Sequence, residues 1–86
     1  MNKPDREGNS GAGREILEAL LAKCKSIENR IYKFIIDIEI AEKEYREKSE
    51  IADSLNWARE LSNIAYTMVG NVDKLLEELI KKLEKA

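Results

Sequence analysis

IYKFIIDIEIA, residues 31–41, reads either as a strand or as part of a helix, and the choice decides the fold. Read as a strand, Phe34, Ile36, Ile38 and Ile40 alternate with Ile35, Asp37 and Glu39, and the β-branched content suits a pleated surface. Read as a helix, the stretch belongs to a longer series. Leu17, Leu20, Cys24, Ile27, Ile31, Phe34, Ile38, Ala41 and Tyr45 are spaced alternately by three and four, the a/d spacing of a coiled-coil seam. That phase runs through the stretch without a flanking turn residue. Beyond it, Glu39 precedes Lys43, Glu42 precedes Arg46 and Glu44 precedes Lys48, each pair in the favourable i,i+4 order of a helix. The helical reading therefore prevails.

The same stretch carries more apolar residues than one seam can use. A helix with a single neighbour has no use for isoleucines on its far side, so a second contact is expected. Working upstream, residues 1–12 contain Pro4, Gly8 and Gly11 without apolar periodicity and are expected to form a disordered tail. A single helical domain is expected over 13–86, with its first helix over about 14–47.

Downstream, Ala58, Leu61, Ala65, Met68, Val72, Leu75 and Leu79 form a second seam, displaced by one residue from the extension of the first. The phase break places a turn at about 48–53 and a second helix over about 54–85. Ser49 and Asp53 are both competent N-caps for it. Gly70-Asn71 offers a further break, since glycine costs a helix about 1 kcal/mol relative to alanine. The seam keeps its spacing across that dipeptide, so a continuous helix is expected and a three-helix bundle is the alternative.

Two long helices of matched length suit an antiparallel hairpin folded near residue 50, with Ile36 level with Ile64. The over-apolar stretch of the first helix then lies beside 61–72, which contains no charged residue. In such a hairpin Ile35, Ile36, Ile40, Ile64 and Val69 are expected to stay partly wet, and exposed apolar surface of this kind marks an interface. With Trp57 and Tyr66, aromatic residues of the kind that anchor contacts, they form the expected oligomer or partner surface. The fold expected is all-α: a long antiparallel helical hairpin dimerising into a four-helix bundle.

Composition narrows the function classes. The 86 residues include one cysteine and no histidine. A chain this short without disulfide or metal has a marginal core, and oligomerisation is the usual supplement. The single cysteine points to a cytoplasmic setting. Charge is balanced in both halves, nine basic against ten acidic residues through Glu47 and six against seven after it, so no basic footprint for nucleic acid or an anionic membrane appears. No run of about 18 apolar residues could span a bilayer.

Candidate chemistry is thin. Asp37 lies between isoleucines, with Arg59 or Asn63 near its level, but an acid at the edge of a seam with its carboxylate in water accounts for it. Cys24 occupies a seam position and is expected to be a small core residue. Without histidine the Glu-x-x-His signature of a di-iron bundle is missing, and no calcium loop or phosphate-binding glycine loop occurs. No nucleophile, base and orienting group can be assembled, so no catalytic, cofactor-binding or metal residues are expected, no cofactor, no small-molecule ligand and no enzymatic activity. The sequence favours a small non-enzymatic interaction protein, a regulator, inhibitor or assembly factor acting as a homodimer that binds another protein. A nucleic-acid-binding helical dimer, with Lys23, Lys25, Arg30 and Lys33 on phosphates, is one alternative, disfavoured by the charge balance. A bundle composed without a natural role is the other.

Overall fold

The computed structural model describes residues 4–85, with side chains over 13–85. It is an antiparallel hairpin of two helices, α1 over Pro4–Glu44 and α2 over Ser49–Lys85. The strand reading of 31–41 is thus closed, and so is the three-helix alternative, because α2 runs unbroken through Gly70 and Asn71. The hairpin is 67 Å long and only 19 by 13 Å across. Its radius of gyration, 19.6 Å, exceeds the roughly 12 Å of a compact chain of this length.

α1 begins earlier than the expected residue 14. Of the tail expected over 1–12, residues 1–3 and all side chains lie outside the described part, while the backbone from Pro4 onward is helical. Proline is well placed in the first turn, where its missing N–H has no helical acceptor, and extending an existing helix costs far less than nucleating one. The paired part of the hairpin starts at the Arg14–Glu84 ion pair.

The turn is shorter than expected and earlier. Tyr45 N–H still reaches Ala41 O at 3.0 Å, and Lys48 N–H then closes on Tyr45 O at 2.9 Å. Ala52 N–H reaches Lys48 O at 2.9 Å, which makes Lys48 the N-cap, with Ser49 the first helical residue and Asp53 inside the helix. Neither residue expected to cap α2 does so. No described residue has a positive φ, which explains how the chain reverses here without glycine.

Residues facing each other across the hairpin have numbers that sum to 98, as for Arg14 and Glu84, Lys25 and Asp73, and Tyr32 and Tyr66. This is close to the expected register, with Ile36 near the level of Ile64. The inner seam, however, is not the expected one. On α1 the residues turned inward are Leu17, Leu21, Cys24, Glu28, Ile31, Ile35, Ile38 and Glu42, positions a and e of a heptad in which Leu17 is a. Leu20, Ile27, Phe34 and Tyr45, all assigned to the seam by sequence, are exposed. On α2 the inward residues are Leu55, Arg59, Ser62, Val69, Asp73, Leu76 and Ile80, again a and e with Leu55 as a, edged by Ala58 and Ala65. Leu61, Met68, Val72, Leu75 and Leu79 point outward.

Candidate interaction surface

The hairpin's two broad faces differ in kind, and the cross-helix contacts show why. Arg14 donates to Glu84 at 2.7 Å, Lys25 to Asp73 at 3.1 Å and Glu77 at 3.4 Å, and Arg59 to Glu42 at 2.8 Å. Tyr32 and Tyr66 meet at 6.3 Å between ring centroids. Every one of these residues occupies a b or e position of its helix. The b and e flanks of both helices therefore share one broad face, zipped by ion pairs and an aromatic contact. The d and g flanks lie on the other side of each helix and share the opposite face. That face carries Leu20, Ile27 and Phe34 from α1 and Leu61, Met68, Val72, Leu75 and Leu79 from α2, each between 44% and 63% exposed.

What the hairpin buries is correspondingly small. Among the described residues Cys24, Ile35 and Ile38 are the buried apolar ones, and Asp73 is a buried acid with only 7% of its surface exposed. Its carboxylate is compensated as a buried charge must be. The hydrogen bond from Lys25 holds Asp73 below its ordinary value of 3.8, against the opposing effect of burial, with further hydrogen bonding from Glu28. Glu28 moves the other way, raised above 4.5 first by burial and then by hydrogen bonding with Asp73. Two carboxyls in one place thus divide the protonation states between them. Gly70 lies beside this pair, and a Cβ there would meet Glu28 Oε2 at 3.6 Å, an ordinary van der Waals contact.

Cys24 Sγ donates to Val69 O at 3.4 Å. Burial, then the nearby Glu28 and Asp73, raise its pKa, so the thiol is held in its unreactive form, in keeping with the core role expected for it. Asp37 is exposed, and Arg59, one of its suggested partners, instead binds Glu42 and Asn56.

The residues expected at the interface are dispersed rather than brought together. Ile35 is buried within the hairpin, not partly wet as expected, and Val69 is half-buried with its carbonyl engaged by Cys24. Tyr66 lies on the ion-paired face against Tyr32. Ile36, Ile40, Trp57 and Ile64 are exposed, at the c and f positions on the backs of the two helices. The apolar d and g face contains none of the seven. Its signal was present all the same: the α2 series read as an inner seam, Ala58 to Leu79, follows d and g positions from end to end.

Shallow grooves among the described residues accompany these faces. One of about 420 Å³ lies near the turn, lined by Glu39, Glu42, Lys43, Arg46, Ala52 and Arg59. Another, of about 410 Å³, is lined by Leu21, Glu77, Ile80, Lys81 and Glu84. Among the described residues no acidic or cysteine cluster could hold a metal ion, and no helix is long and apolar enough to cross a membrane. No family model matches the chain, and no curated protein or solved structure matches it.

Proposed function

We propose that this chain is a non-enzymatic interaction protein that self-associates through the apolar d and g face and binds another protein through what remains exposed. One observation carries the reading: the outward apolar stripes of both helices lie on the same broad face, opposite the ion-paired one. Scattered exposed leucines need no explanation, whereas a contiguous apolar face of this extent marks an association site. The three buried apolar side chains among the described residues are a poor core for so long a molecule, and covering the d and g face would supply the missing burial. The cytoplasmic residence expected from the cysteine content belongs to the same proposal.

Trp57 and Ile64, one heptad apart at c positions on the back of α2, are both exposed in the hairpin. A tryptophan beside an aliphatic residue is a typical anchor for a protein partner, and this supports the second half of the reading, a regulator, inhibitor or assembly factor.

Sedimentation equilibrium tests the first half. The wild-type chain is expected to associate in a concentration-dependent way, and Met68→Glu, placing a charge where the face is 63% exposed in the single hairpin, is expected to abolish association while the chain remains helical. A wild-type chain that stays monomeric at hundreds of micromolar, or a Met68→Glu chain that associates as well as wild type, overturns the reading.

A further inference from the structure

We propose that the occupant of the d and g face is a second copy of this chain, laid so that α1 of each copy runs antiparallel over α2 of the other about a two-fold axis along the hairpin. This deepens the self-association reading above and rests on it. The area is adequate. Eight large apolar side chains, each about half exposed, offer on the order of 800 Å², taking roughly 200 Å² for a fully exposed one, and about 800 Å² per partner is what a standard stable interface requires.

Register and charge select the arrangement. A two-fold axis along the hairpin keeps the hairpin's own register between copies. Leu20 then meets the partner's Leu79, Ile27 the partner's Val72, and Phe34 lies between the partner's Leu61 and Met68. On the rim, Lys23 at a g position of α1 comes within a turn of the partner's Glu78 at a c position of α2. Neither joins an ion pair among the described residues of the single hairpin, so both are available. The competing arrangement turns the axis across the hairpin and stacks α1 on the partner's α1. Matching the apolar stripe there centres it on Ile27, and Lys23 then faces the partner's Arg30 twice over. Like charges at close quarters penalise that mode, while the first pairs opposite charges.

Sedimentation equilibrium of Lys23→Glu, Glu78→Lys and the double variant separates the two, with circular dichroism confirming unchanged helicity. Each single variant is expected to raise the dimer Kd by about three- to twenty-fold, since two symmetry-related pairs are lost, and the double variant to return close to wild type. A Lys23→Glu dimer tighter than wild type overturns this arrangement in favour of α1 on α1 and leaves self-association standing. Single variants without effect, or a double variant no better than the singles, overturn the rim pairing in the same way. A monomeric wild-type chain overturns both readings together.

Discussion

Replacing Gly70 by alanine should stabilise the protein, and the size of the gain follows from the local geometry. Gly70 sits in the middle of α2 with an ordinary helical φ, so an L side chain introduces no backbone strain. The new Cβ would find Glu28 Oε2 at 3.6 Å, an ordinary van der Waals contact at the end of a flexible side chain. What remains is the propensity difference, about 1 kcal/mol, arising largely from the freedom that glycine has in the unfolded chain. For a domain of this size that corresponds to a rise in Tm of about 4–8 °C. Thermal unfolding followed by circular dichroism measures it, at one fixed protein concentration because association would otherwise contribute. Gly70 lies at a b position, away from the d and g face, so the same variant should leave the association constant unchanged. Gly13→Ala is the companion: nothing lies within 4 Å of its Cβ, and near the open end of the hairpin its gain should be smaller and should add to the first. An unchanged or lowered Tm for Gly70→Ala would refute the reasoning, because it would mean that α2 is not a continuous helix at this residue.

Two further outcomes are expected from the hairpin's interior. Ile38→Ala removes one of the most buried side chains and should cost about 2–3 kcal/mol in chemical unfolding, whereas Ile36→Ala, on an exposed back, should cost much less; equal losses would contradict the assigned inner seam. Glu28→Gln should raise Tm at neutral pH and flatten its pH dependence. The raised pKa of Glu28 means that its contribution is present below about pH 4.5 and is lost as pH rises through the folded value, while the depressed pKa of Asp73 means that its contribution is present above about 3.8 and is lost as pH falls further. The wild type should therefore lose stability on both sides of the mildly acidic range, and the glutamine variant only on the acid side; a Tm profile unaltered above pH 5 would show that the two carboxyls are not coupled through the fold.

The all-α hairpin was legible because its evidence is local. The three-four spacing from Leu17 to Tyr45 and the i,i+4 pairs after it concern one helix at a time, and the register followed from a single phase break. The positions of the turn and cap were less legible, since Lys48 caps α2 with its backbone carbonyl and leaves no side-chain signature. Asp73 was missed because its partner Lys25 is 48 residues away and no one-helix pattern joins them.

Which seam faces inward was the part that hydrophobicity could not rank. On α2 the bulkiest stripe, Leu61 to Leu79, looks like the core, yet the hairpin closes on Leu55, Arg59, Ser62, Val69, Asp73, Leu76 and Ile80, with a smaller and more polar middle edged by Ala58 and Ala65. Small residues let the two helices approach closely in that middle stretch, and the e positions bring Arg59 to Glu42 and Asp73 to Lys25. Turning the large stripe inward instead would separate the helices and leave these charges unpaired. The same logic resolves the excess of 31–41. Ile31, Ile35 and Ile38 face α2, Phe34 joins the apolar d and g face, and Ile36 and Ile40 stand on the back of α1. The stretch is apolar in three directions because it serves one contact already made within the hairpin and offers surface for others outside it.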